Sequence, residues 1–397
     1  AATIGFKRAY VSQAESGRDV PSENLVAALE RALDGAGELR TLREQARREQ
    51  QTHRYGLPDP REVTDTDRRE FVQSGALAAA AGMAAEVSRL IASADPDPLT
   101  LEEMEVDVDR IAATYMTTPH EVLTPRVLDG WRGAETALAG RVSLASRKRV
   151  TVLAGQYSYY LARLAFNTGD DVAARRFAVL ASQYADDVGD PLLTGSVAGL
   201  RSSIAYYGGR FHMAADLAAQ ARRSAHPYMR ARLAAYEARA RAATGDVDGA
   251  RAALAAMTDA VFDSAPMFGE PPFDVEAVAG FTAVVAGRLG DGERAEAHAR
   301  QSIAILETRN GYPEDYGNTL AALSVALLLR PRPEPEEAAA VAMRALDVVA
   351  TFPTRTVVQR ARDLSGLFAE HRELPPVVDF RERLATEAPR LMLTAGT

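Results

Sequence analysis

The sequence predicts an all-α protein: a small helical head followed by an α-solenoid of antiparallel helix pairs. Three observations predict it. Apolar residues recur at helical spacing almost throughout, with proline and glycine clustered between those stretches rather than inside alternating strands. At 397 residues the chain is too long for one compact core, so two to three domains or a repeat array is expected. Third, four stretches align without internal gaps: LARLAFNTGDDVAARRFAVLA, RSSIAYYGGRFHMAADLAAQA, EARARAATGDVDGARAALAAM and TAVVAGRLGDGERAEAHARQS.

The elements follow in chain order. A helix is expected from near Lys7 to Ser16, with Gly5 turning the chain before it, and Tyr10, Val11 and Ala14 facing a small core. Pro21-Ser22 opens a second helix that carries Leu25, Val26, Leu29 and Leu33 on one face, and Gly35 and Gly37 end it. Glu38 to about Thr52 reads as a charged helix. Residues 51–67, including HRYGLPDPREVTDT, read as a linker between a head (1–50) and a repeat domain (68–397). The run RREFVQSGALAAAAGMAA from Arg68 imitates a twin-arginine export signal. It lies well inside the chain and its uncharged part is shorter than the roughly 20 residues of a membrane span, so a buried solenoid helix is expected.

Helices at about 100–117, 119–139 and 146–167 lead into the repeats. The repeat glycines are Gly169, Gly209, Gly245 and Gly290, at separations of 40, 36 and 45. Five residues after each stands Ala174, Ala214, Ala250 or Ala295. Seven before each stands Ala162, Ser202, Ala238 or Ala283. A tight turn between antiparallel helices needs a residue tolerant of the left-handed conformation, and a close helix crossing needs small side chains. A fifth, degraded unit spans Asn318 to Ala350, its turn expanded into PRPEPEE, and helices at both ends cap the array.

Composition excludes several chemistries. There is no cysteine, hence no disulfide, thiolate zinc site or cysteine nucleophile, which fits a cytoplasmic location. The net charge of −8 is not that of a nucleic-acid-coating polycation, and residues 1–50 balance eight basic against eight acidic side chains. The six histidines are dispersed, read as surface or turn residues, and none has a partner at metal-ligand spacing. No phosphate-binding glycine loop or nucleophile elbow occurs, so no catalytic residue, metal or cofactor is expected.

Binding has better support. In a helical-hairpin solenoid the first helix of each pair lines the concave face. Counting back from the turn glycines places Tyr159, Arg163, Phe166, Ser203, Tyr206 and Arg239 there, with Gln156 and Arg232 a turn earlier. Such an aromatic and cationic groove suits a peptide carboxylate or a small anion. The alternative is that the aromatics are core and the arginines pair with neighbouring acids. Arg147-Lys148-Arg149 reads as a solvated helix start.

In the opening helix Lys7, Arg8, Ser12 and Gln13 fall on one polar face. These side chains hydrogen-bond phosphates and base edges, and a major groove admits such a helix. The stretch GFKRAYVSQAESGRDVPSENLVAALERAL resembles the second half of the xenobiotic-response-element (XRE) type helix-turn-helix, the lambda-repressor-like fold, over about 45 residues. The resemblance implies that Lys7, Arg8, Ser12 and Gln13 face the DNA groove, that Arg18 contacts the DNA backbone, that Glu15 is a structural acid and that Gly17 stops the helix. The first helix of that family and the start of its second lie outside the chain as given. The helix pairs resemble tetratricopeptide repeats, whose period is about 34 residues. The whole arrangement is similar to a group of actinobacterial transcriptional regulators and to the peptide-sensing RRNPP quorum-sensing regulators. The similarity implies a homodimer on a double-stranded DNA operator, with a peptide or small-molecule effector in the repeat groove. A protein-interaction scaffold carrying a vestigial helix-turn-helix is the alternative.

Overall fold

A computed structural model describes residues 5–16, 20–33, 35, 37–54, 83, 98–140, 142–309 and 312–393. Among these residues the fold is all-helical, and no helix is long and apolar enough to cross a membrane. The chain divides into two compact units, Ala1–Val87 and Ser88–Thr397. Most of the expected linker and all but one residue of the run from Arg68 to Ala85 lie outside the described residues.

The first unit contains α1 (Arg8–Glu15), α2 (Glu23–Leu33) and α3 (Glu38–Arg54). The Ser22 hydroxyl accepts from the Leu25 amide at 3.3 Å and starts α2, whose Leu25, Val26 and Ala28 are buried. Leu33, expected on that apolar face, is 68% exposed at the end of α2. Gly37 adopts φ +94°, and the Glu30 carboxylate accepts from the amides of Gly37, Leu39 and Arg40 at 2.8–3.2 Å. One side chain of α2 thereby satisfies the orphan donors that start α3.

The second unit runs through α4 (Pro98–Thr114), α5 (His120–Ala139), α6 (Leu144–Thr168), α7 (Asp171–Val188), α8 (Pro191–Tyr207), α9 (Phe211–Arg222), α10 (Pro227–Ala243) and α11 (Val247–Asp259). It continues through α12 (Val275–Arg288), α13 (Gly292–Thr308), α14 (Pro313–Leu328), α15 (Pro335–Thr351), α16 (Arg355–Leu367) and α17 (Pro375–Leu393). Consecutive helices pair, and α6, α8, α10, α12, α14 and α16 pack side by side as an inner row.

The pairing follows from the turns. Gly169, Gly209, Gly245 and Gly290 have φ between +73° and +89°. At each, the glycine amide reaches back three residues and the next amide five, closing the helix carbonyls (Gly169 to Phe166 at 3.2 Å, Asp170 to Ala165 at 2.8 Å). After three of these glycines an aspartate (Asp170, Asp246, Asp291) caps the next helix through its side chain. Nothing lies within 4 Å of a Cβ built at Gly209, Gly245 or Gly290, so backbone conformation and not space demands glycine there. Ala174, Ala214, Ala250 and Ala295, with Ala162, Ser202, Ala238 and Ala283, are all fully buried where paired helices cross. The Ser202 hydroxyl donates to the Ala214 carbonyl at 2.8 Å, and in the α14–α15 pair Ser324 donates to Ala338 at 2.6 Å.

The late helices of the array return to its early ones. Arg355 of α16 pairs with Asp171, 184 residues away, and its guanidinium lies 5.5 Å from the Phe166 ring centre. Asn167 donates to Glu314 at 3.4 Å, and Phe352 meets the His120 ring edge-on at 5.0 Å. The inner helices therefore surround a partly open chamber.

Candidate functional site

The chamber has a volume of about 320 Å³ and draws its walls from α6, α8, α10, α12, α14 and α16. Its two ends differ in charge balance.

At one end the chain fills its own groove. The connection between α11 and α12, VFDSAPMFGEPPFD, lays a strap across α6, α8 and α10. Phe268 packs edge-on against Tyr159 and Tyr160, with ring centres 5.1 and 5.3 Å away. Gly269 sits at φ +100°, donates its amide to the Tyr160 hydroxyl at 3.2 Å and accepts from Arg163 at 3.0 Å. Glu270 is the centre of the arrangement. It pairs with Arg163 at 2.9 Å, accepts from the Tyr159 hydroxyl at 3.1 Å and lies 3.9 Å from Arg232. Tyr228 donates to the Glu270 carbonyl at 2.6 Å and Arg232 to the Pro271 carbonyl at 2.8 Å. Burial alone would raise the Glu270 carboxyl, but Arg163, Arg232, the Tyr159 hydroxyl and, more weakly, the charge of Arg239 outweigh it and hold the carboxyl below its usual value. Burial beside that carboxylate pushes the Tyr159 hydroxyl far up, so it stays a donor.

The other end is built around Arg239, which is 5% exposed. It donates to the Ser203 hydroxyl at 2.7 Å, and its guanidinium lies 4.2 Å from the Tyr236 ring centre and 4.7 Å from that of Tyr206. Its Nε has no partner, and no carboxylate pairs with it among the described residues. Arg360 lines the same chamber against the Tyr207 hydroxyl, its own Nε also unpartnered.

Carboxylates form a further wall. Glu276 accepts from Ser302 at 2.7 Å, and Glu314 accepts from Thr356 at 2.8 Å. Glu314 and Asp315 are enclosed by protein but keep some surface. Burial raises both Glu276 and Glu314. Burial first, then the charges of Glu276 and Glu314, pushes the Asp315 carboxyl up to about 8. No group of three His, Asp or Glu side chains is placed to hold a metal ion among the described residues.

The structure redistributes the expected groove residues. Arg163, Phe166, Ser203, Arg232 and Arg239 line the chamber. Tyr159 and Tyr206 do not; both are buried behind it, Tyr159 under the strap and Tyr206 beneath Arg239. Gln156 is a correction. It lies in a separate surface depression with Lys148 and Arg149, because it faces the side of α6 toward α4. Arg149 itself is held by Glu105 through two bonds of 3.0 Å. Two end-to-end expectations for Arg163 and Arg239, open groove or pairing with acids, are thus divided between them. His120, expected at a surface or turn, is buried, and burial, then the charge of Arg163, pushes it down to about 4.

Glu270, Phe268, Asp315, Asn318 and Arg360 were missed by the sequence reading. The signal for the first two is PMFGEPPF, an apolar, proline-rich stretch with a single acid inside the longest interval between turn glycines. In the first unit Lys7, at the N-cap of α1, and Arg8, Ser12 and Glu15 on it are exposed. Arg18, Gly17 and the side chain of Gln13 lie outside the described residues.

Comparison with protein-family models and with curated proteins finds no match for the chain.

Proposed function

We propose that this protein is a sequence-specific DNA-binding transcriptional regulator. Its XRE-type helix-turn-helix head reads a double-stranded operator. Its tetratricopeptide-like array dimerises and senses an effector held in the chamber. The observation that carries the reading is the opening stretch: α1 presents Lys7, Arg8 and Ser12 to solvent and is followed by the Glu23–Leu33 helix in the order the resemblance implies. The chamber supports the sensing half, because Arg239 is a buried cation with no carboxylate at ion-pairing distance among the described residues.

The test is competition between an upstream promoter fragment and random duplex for the complete protein at one fixed, moderate salt concentration. A preference on the order of 10³-fold or more is expected, and equal binding of both duplexes sinks the reading. Arg8→Ala and Gln13→Ala are expected to cost about 1–3 kcal/mol of discrimination each, while Arg239→Ala leaves the preference intact and blunts the effector response.

A second reading, a non-catalytic interaction scaffold, is favoured by the balance of eight basic and eight acidic residues in residues 1–50. One stoichiometric protein partner in a pull-down, with no DNA footprint, would establish it.

A further inference from the structure

We propose that the chamber takes a small aromatic acid, its carboxylate on Arg239, and not a peptide laid along the array. The proposal rests on the sensing role above for its biological consequence, but the binding itself is measured without DNA.

The argument starts from charge. A guanidinium taken out of water is costly unless an anion or a full set of acceptors replaces the water. Arg163 has its anion in Glu270. Arg239 has one hydroxyl acceptor, Ser203, and an unpartnered Nε. A planar fork with free donors matches a carboxylate in shape as well as charge. Arg360 adds a second unpartnered Nε across the Tyr207 hydroxyl.

Shape sets the body of the ligand. The walls nearest Arg239 are rings: Tyr236 at 4.2 Å and Phe281 at 5.8 Å from the guanidinium. Planar groups stack in such a place. The volume of about 320 Å³ is at the lower end for small-molecule pockets. A peptide in extended conformation advances about 3.3 Å per residue and needs open groove along the helices. The strap already takes that groove. A Cβ at Gly269 would come 2.8 Å from the Ser196 hydroxyl, so the strap has no slack against α8.

Acceptors line another part of the same chamber. Asn318 has a buried side-chain oxygen with no partner, and Glu276 and Asp315 stand on the same walls. A hydroxyl or amine on the ring satisfies them.

The probes are 4-hydroxyphenylacetate, phenylacetate and the neutral 4-hydroxyphenylacetamide. Each is titrated into the full chain to about 10 mM, enough to near saturation for a fragment that binds at about 1 mM, with heat of binding and melting temperature as readouts. The hydroxy acid is expected to bind saturably, several-fold tighter than phenylacetate and at least tenfold tighter than the amide. Arg239→Met is expected to abolish the difference between acid and amide. Should that variant not fold, Arg239→Lys, which keeps the charge and loses the fork, is expected to weaken the acid about tenfold. Equal binding of acid and amide, undiminished binding by the Arg239 variant, or no saturable binding of the acid to the wild type overturns the proposal. So does tighter binding of the strap-copy peptide Phe-Gly-Glu-Pro-Pro with exposure of the native strap to proteolysis. The DNA competition without probe reports separately. Acid binding without DNA preference sinks the regulator reading alone, and DNA preference without acid binding sinks this proposal alone.

Discussion

Arg163 and Arg239 stand at the same place in the first and third of the repeat pairs, each six residues before a turn glycine, and their surroundings differ. Arg163 is clamped by Glu270, the Gly269 carbonyl and, at 4.0 Å, the Tyr115 ring. Arg239 has the aromatic rings and one hydroxyl, and feels Glu270 only through space, with no carboxylate at ion-pairing distance among the described residues. The repeat makes the two positions equivalent in backbone; a single connection makes them different in electrostatics. Position in a repeat therefore says which side chains face inward, and says nothing about which of them are already occupied.

The comparison breaks most visibly at the ion pair. Removing one partner of a buried pair leaves an uncompensated charge, so Arg163→Met or Glu270→Gln is expected to cost about 3–5 kcal/mol in chemical denaturation. Arg239→Met breaks no ion pair and is expected to cost less, on the order of 1 kcal/mol for the lost hydrogen bond to Ser203. A loss for Arg239→Met as large as that for Arg163→Met would show that the two arginines are equally satisfied. The double variant Arg163→Met/Glu270→Met should recover most of the single-variant loss.

Next in size is the strap backbone. Gly269→Ala forces a side chain into φ +100° and against Ser196, and is expected to cost about 1–3 kcal/mol. A neutral effect would mean that the strap is loosely held.

Asp315 sharpens the comparison through pH. Between about pH 4, near the ordinary carboxylate value, and its folded value of about 8, the carboxyl is protonated when folded and ionised when unfolded. Stability from this group therefore falls as pH rises through that window, by up to about 1.4 kcal/mol per pH unit. Asp315→Asn is expected to stabilise more at pH 8 than at pH 5, and melting curves at the two values check it. His120 works in the opposite direction. Its folded value of about 4 lies below the ordinary 6.5, so its contribution is lost as pH falls from about 6.5 to 4.

The smallest expected effect is Ser203→Ala. It removes the hydrogen bond to Arg239 and should cost about 1 kcal/mol, less if another acceptor reaches the guanidinium.

What was legible in the chain was local. Gly169, Gly209, Gly245 and Gly290 needed left-handed backbone, and the alanines five residues on needed to be small. Each requirement acts over one turn and two crossing helices, so spacing alone reveals it. The groove was half legible for the same reason: Arg163, Arg232 and Arg239 could be placed on inner helix faces by counting. Gln156 could not, because a turn of α6 before the inner stripe already faces α4. The exposure of Leu33 was missed likewise, since burial at a helix end depends on where the next element goes.

By itself the sequence determined the helices, their turns and the inward-facing positions, because hydrogen bonding within a turn and packing between neighbouring helices are short-range constraints. Only the tertiary structure decided that the array returns on itself and that its chamber is half filled from within. Arg355 meets Asp171 across 184 residues, and Glu270 reaches Arg163 across more than a hundred. Contacts of that kind depend on small rotations added up pair by pair along the array, and no periodicity in the residues records that sum.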